Sequence, residues 1–212
     1  MTDIYLSYLN CPKCGEKNPH QRHNIIDIGL EPELTKQIID WEFFKFSCQN
    51  CTHEQFVTYP TLYLDVEKKV AIHYIPYLDE AVLTRQQSKL KIMSLNLSEF
   101  QCRVVHDLES FVEKIQIFTD KLDDRAIELI KFTNSPKEEN DIQFTYEHQV
   151  FTKVGPLNYQ FMFVNNREVV ASLDFSEDQY QYFLTEVEDV ETKELFINEY
   201  WAVEFARHGV KS

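Results

Sequence analysis

LNCPKCGEKN (residues 9–18) and FSCQNCTHEQ (residues 46–55) carry the same unit twice, two cysteines separated by two residues. A CxxC turn lets two thiolates converge on one ion while its backbone N–H groups point at the sulfurs. Zinc takes four such ligands in a tetrahedron at about 2.3 Å, which two CxxC turns supply and one does not. Between Cys14 and Cys48 lie 33 residues, a longer loop than in a compact finger. Closing a longer loop costs only about 0.6 kcal/mol per doubling, against roughly 10 kcal/mol from a structural zinc. The spacing therefore predicts one metal site built from Cys11, Cys14, Cys48 and Cys51, with zinc as the ion. Iron suits four thiolates as well. Two other readings fit the same residues: a redox CxxC at a helix start, and a zinc site in which His20, His23 or His53 replaces a cysteine. Four thiolates leave a metal no position for water, so the predicted site stabilises rather than reacts.

The two knuckles differ. Pro12 stiffens the first, and Gly15 directly after Cys14 can take the left-handed backbone that such turns use. Thr52 stands at the matching place in the second, where φ > 0 is uncomfortable for a β-branched residue.

Outward from the cysteines, residues 1–80 read mostly as strands. IYLSYL (4–9) leads into the first pair, NIIDIG (24–29) forms another strand, and WEFFKFSC (41–48) leads into the second pair. EPELTKQIID (31–40) reads as a helix, with Pro32 near its first turn and Leu34, Ile38 and Ile39 on one side. Residues 54–76 read as β-structure turning at Glu67–Lys69. In residues 81–137, Phe100, Cys102 and Val104 alternate as on a half-buried strand. Asp107 then caps a helix carrying Leu108, Phe111, Val112 and Ile115. A second helix covers 122–132, with Asp123 and Asp124 at its positive end. The polar stretch NSPKEEND (134–141) is the best linker. Beyond it, in residues 138–212, 142–151 alternates and 159–175 reads as a hairpin turning on Asn165-Asn166. Ser176 and Gln179 start a helix with Tyr180, Phe183, Leu184 and Val187 inward. ELFI (194–197) reads as a last strand, and Asn198 caps a final helix that stops at Gly209.

Composition narrows the function. Apolar residues make up 43% of the 212, enough for a real core, and only four glycines occur, so neither GxGxxG nor GxxxxGK[ST] is present. No apolar run reaches the ~18–20 residues of a membrane span, and the N-terminus lacks a signal-peptide layout. The expectation is a cytoplasmic protein with reduced cysteines. Net charge is −14 and uneven: residues 138–212 hold five Lys/Arg against fifteen Asp/Glu, residues 1–60 five against eight. With no basic surplus to neutralise phosphate, nucleic acid is disfavoured as a partner. Cys102 stands apart from the four, on the apolar face of its predicted strand, where a thiol acts as a small hydrophobe; a reactive thiol beside His106 is the rival reading. His73 and His148 have no partner nearby in sequence. Neither GxSxG nor HExxH appears.

CPKCG, IGLEPELTKQIID, WEFFKFSCQNC and YPTLYLDVEKKVAIHYIP together resemble the bacterial CpXC family, which is named for its Cys-Pro-x-Cys motif and carries a second CxxC. The likeness continues through RVVHDLESFVEKIQIFTDKLDDRAIELIKF, covers roughly residues 5–135 and weakens in the C-terminal third. It implies that Cys11, Cys14, Cys48 and Cys51 are metal ligands, and it departs from the family's usual glycine at Thr52. The family has no established activity, so the resemblance speaks to fold and metal. The fold expected is α+β: an N-terminal zinc ribbon with β-hairpins (1–80), a central helical pair (81–137) and an acidic, antiparallel α+β C-terminal part (138–212). The function expected is a non-catalytic module that binds another protein. The alternatives are an enzyme whose site is assembled from distant segments, and a nucleic-acid-associated ribbon.

Overall fold

A computed structural model describes residues 3–76, 97, 99–135, 144–156, 158–190 and 194–208. Most of the expected linker and the stop at Gly209 lie outside these residues. The fold is mixed α+β, and the chain divides into two compact units, residues 1–115 and 116–212.

The first unit is organised by a five-stranded sheet in the order β1-β2-β5-β6-β7. Strands β1 (Asp3–Asn10) and β2 (Lys17–Asp27) form an antiparallel hairpin. Helix α1 (Glu33–Ile39) follows and buries Leu34 and Ile38. The short strands β3 (Lys45–Ser47) and β4 (Glu54–Phe56) pair in a small sheet of their own. The chain then returns as β5 (Thr61–Asp65), parallel to the end of β2, and turns into β6 (Val70–Tyr74). β7 (Gln101–Val105) adds to β6 in parallel. In the β5–β6 turn Asp65 Oδ1 accepts the Lys68 N–H, and Lys69 has φ +54°.

The expected strand at 41–48 is shorter. Trp41 takes φ +65° and its N–H donates to the Ile38 carbonyl, so 41–44 closes the helix instead. That turn delivers Phe44 to an aromatic core with Tyr59, Tyr74 and Phe111. Phe111 belongs to helix α2 (Leu108–Thr119), whose start is held by the Ser110 N–H on Asp107 Oδ1 at 2.6 Å.

Burial lowers the pKa of three histidines in this unit: His20, where Arg22 and His23 add to the effect, His23, where Glu31 opposes it, and His73. A histidine kept neutral in the fold becomes protonated on unfolding below its ordinary value of 6.5. Its contribution is thus complete above that pH and falls away as pH drops through the lowered folded value. The first unit should lose stability between pH 7 and 5, with His73→Phe flattening that slope. Denaturant midpoints across this range check it, and an unchanged slope in the variant would remove His73 from the account.

The second unit opens with the end of α2 and helix α3 (Asp124–Asn134), where Asp123 accepts the Arg125 N–H as the sequence suggests. Strands β8 (His148–Gly155), β9 (Asn158–Asn165) and β10 (Glu168–Asp174) form an antiparallel sheet in the order β10-β9-β8. The β9–β10 turn centres on Asn166 and Arg167, both at positive φ, one residue later than the sequence suggests. Helices α4 (Glu177–Glu188) and α5 (Glu199–His208) complete the unit. Ser176 caps α4, and Asn198 Oδ1 accepts the Trp201 N–H at 3.0 Å. Residues 194–197 form no strand; Ile197 enters the core from an irregular segment. The core gathers Phe151, Phe161, Tyr180, Val187, Ile197 and Trp201. No helix among the described residues is long and apolar enough to cross a membrane.

Candidate metal centre

Each CxxC lies at the tip of a β-hairpin. The chain leaves β1 at Asn10, passes through residues 11–16 and returns as β2; it leaves β3 at Ser47, passes through 48–53 and returns as β4. The turns repeat one hydrogen-bond pattern. In the first, Cys11 N–H donates to the Glu16 carbonyl and Gly15 N–H to the Cys11 carbonyl, both at 2.8 Å. In the second, Cys48 N–H donates to the His53 carbonyl at 2.9 Å and Thr52 N–H to the Cys48 carbonyl at 3.0 Å. Gly15 has φ +76° and Thr52 φ +56°. The second knuckle thus adopts the same left-handed conformation despite its β-branched residue, and its geometry is kept rather than distorted.

The two tips bring all four sulfurs together. Cys11 Sγ and Cys51 Sγ lie 3.6 Å apart, as do Cys14 Sγ and Cys48 Sγ, and all four fall within 4.8 Å of one another. A tetrahedral ion with metal–sulfur bonds of about 2.3 Å places its sulfurs about 3.8 Å apart, so the cluster has the size of a metal site. The same spacing is far beyond the ~2.05 Å of a disulfide, and all four thiols are free. Cys11 and Cys48 are buried against Phe46, with Leu9, Cys51 and Val57 packed around them.

The electrostatics favour thiolates up to a limit. The Cys51 and Asn50 N–H groups pull the Cys48 thiol down to about 6. The Glu16 N–H and the Asn50 side chain lower Cys14. The His53 N–H also favours the Cys51 thiolate, yet burial and the three neighbouring thiols hold that proton up to about 12. The neighbouring thiols thus oppose ionisation of Cys51, and a bound divalent cation would remove that barrier, since a coordinating thiol is deprotonated outright. The donor set fits a metal ion.

One residue of the site carries no sequence signal of the usual kind. Asn18, 2% exposed, lies on β2 just past the first knuckle. Its Nδ2 donates to the Glu16 carbonyl at 2.9 Å and points at Cys48 Sγ at 3.6 Å, while its Oδ1 accepts the Gln49 N–H at 2.9 Å. The available clue is positional: Asn18 pairs with Leu9 across the hairpin, so alternation puts a polar amide on the inward face.

The histidines considered as substitute ligands are not part of the cluster. His20 packs its ring edge-on to Phe46 and Tyr59, and His23 lies against Phe43. Cys102 is half-buried on β7, and burial raises its pKa. Its alternation is blurred because Arg103, Val104 and Val105 are all buried at that end of the strand. The thiol has the Phe100 carbonyl at 3.6 Å, so a serine there would find an acceptor. His106 is exposed and lies 3.9 Å from Asp107.

No curated protein and no solved structure matches the chain. Residues 9–131 match the family model described as CpXC protein, a span that starts beside the first cysteine pair and includes both knuckles, four of the five strands of the large sheet (β2, β5, β6 and β7), α2 and most of α3. More than half of the sequence is covered, and the chain belongs to the CpXC family.

Proposed function

We propose that this is a zinc-binding protein in which Cys11, Cys14, Cys48 and Cys51 hold one structural ion, and that it acts by binding another protein rather than by catalysis. The observation that carries the reading is the four-sulfur cluster, all within 4.8 Å. Four thiolates complete a tetrahedral shell and leave no position for water or substrate, so the ion's contribution is to cross-link two hairpins. The second hairpin would not be stable alone: β3 and β4 have three residues each, too few for an isolated pair. Thiols in this state belong to a reducing compartment such as the cytoplasm.

Support for an interaction role comes from the sheet edges. β1 is an edge of the five-stranded sheet and β10 an edge of the three-stranded one, and both expose apolar side chains, Leu6 and Tyr8 on β1 and Val169 and Leu173 on β10. Edge strands of this kind are the places where a partner adds a strand or packs. The acidic C-terminal sequence would favour approach by a basic partner.

Elemental analysis of protein purified without added metal should find one zinc per chain; iron in its place, or no metal with four reactive thiols, would defeat the zinc reading. For the interaction, a photo-crosslinking residue at Leu6 or Val169 in the native cells should capture a discrete protein, and one at exposed Gln181 should not. Equal labelling from all three positions would remove the interaction reading.

A further inference from the structure

The two halves of the metal centre are built unequally. The first knuckle grows from a hairpin of eight and eleven residues, and β2 continues into the five-stranded sheet through β5. Its left-handed position is Gly15, with no atom within 4 Å of where a Cβ would stand. The second knuckle grows from two three-residue strands that pair only with each other. Its left-handed position is Thr52, where the branched Cβ opposes φ +56°. The second half is therefore the one closer to opening.

Asn18 reaches from the robust half to the strained one. The Glu16 carbonyl anchors its amide within its own hairpin, the Gln49 N–H donates to its oxygen from the opposite knuckle, and Nδ2 faces Cys48 Sγ. An amide meets these demands because it donates and accepts at once. An aspartate would keep the bond to Gln49 but set a carboxylate against a thiolate, and an alanine would lose both ends. The residue is 2% exposed, so water does not readily replace it.

We propose that Asn18 is the latch holding the second knuckle closed over the bound metal, and that the site releases its ion by opening at that knuckle. The inference rests on the metal-binding reading and deepens it by locating where the ion leaves. The hairpin 45–56 opens, Cys48 and Cys51 swing away, and Cys11 and Cys14 keep the ion last.

The test uses the zinc-loaded full chain and follows zinc transfer to an excess of a chromophoric chelator. Asn18→Ala should speed release by about tenfold or more, the range for removing an outer partner of a metal ligand. Asn18→Asp should fail to restore the native rate. Thr52→Gly should slow release by about threefold, since glycine removes the left-handed strain at some cost in chain entropy. In Asn18→Ala, hydrogen exchange should quicken over 45–56 and stay unchanged over 17–27, and cobalt-loaded protein should show a shifted sulfur-to-metal charge-transfer band. A wild-type chain that holds no metal overturns the metal reading and the latch with it. A chain that holds zinc and releases it equally fast as Asn18→Ala, or faster as Thr52→Gly, overturns the latch alone.

Discussion

Cys48→Ser should strip the metal from the protein and cost the first unit most of its protection from hydrogen exchange, while the second unit keeps its own. A serine hydroxyl has neither the charge nor the softness of a thiolate, and three sulfurs leave the tetrahedron open. The energy at stake is large. A structural zinc contributes on the order of 10 kcal/mol, and a whole domain is stable by only about 5–15. Loss should begin at β3–β4, whose small core of Cys11, Phe46 and Cys48 includes two of the ligands themselves. It should spread to the β1–β2 hairpin, since β2 pairs with β5 only at residues 25–27. The second unit contains no ligand, and its core of Phe151, Phe161, Tyr180 and Trp201 is complete in itself. Residue-resolved exchange, with metal analysis on the same sample, separates the outcomes. Uniform loss of protection along the chain would show that the two units fold as one, and full retention of metal would show that Cys48 is not a ligand. Cys11→Ser should behave alike.

What the sequence made legible was local. The knuckles follow from cysteine spacing, and the strain at Thr52 follows from a β-branched residue where a left-handed turn is needed. Asp107, Asp123, Ser176 and Asn198 each cap within three residues. Pairing across distance was not legible. The parallel ladder β2–β5 joins segments separated by whole elements, and β6–β7 joins segments far apart in the chain; a strand's composition does not name its neighbour. Residues 194–197 show the same limit from the other side: the three apolar residues Leu195, Phe196 and Ile197 read as part of a strand, yet with no ladder to join, the segment stays irregular and delivers Ile197 to the core. The β9–β10 turn moved one residue because Arg167 accepted a positive φ that composition assigned to Asn165. Asn18 was overlooked for a related reason. Its partners Gln49 and Cys48 are about thirty residues away, and an asparagine beside a turn ordinarily reads as part of the turn.

Phe161→Ala should destabilise the second unit by about 3–5 kcal/mol, the usual loss when a fully buried aromatic ring is removed. Phe161 is completely buried at the centre of β9, between the strand-paired Phe151, whose ring centroid is 5.3 Å away, and Phe175 at 6.4 Å. The neighbours have little freedom to collapse into the space. Phe175 is held by its N–H on the Tyr159 carbonyl at 3.0 Å. Tyr180, which packs against Phe175 at 5.6 Å, is fixed by its hydroxyl accepting the Asp123 N–H at 2.9 Å. Arg125 adds a further tie by donating to the Val190 carbonyl at 2.6 Å. A rigid lining leaves a cavity, and a cavity makes the loss larger than the transfer energy of the ring alone. Phe161→Leu should recover a good part of the loss by filling it. The metal centre supplies the control: zinc content and the release rate to a chelator should match the wild type, because the four cysteines belong to the first unit and pack in a cluster of their own there. Denaturant unfolding followed by exchange over 148–165 measures the first effect. A loss below about 1 kcal/mol would mean that the sheet repacks freely around the gap. Zinc leaving together with the second unit's structure would mean that the metal stabilises the whole chain, and the division of stability between the two units would have to be abandoned.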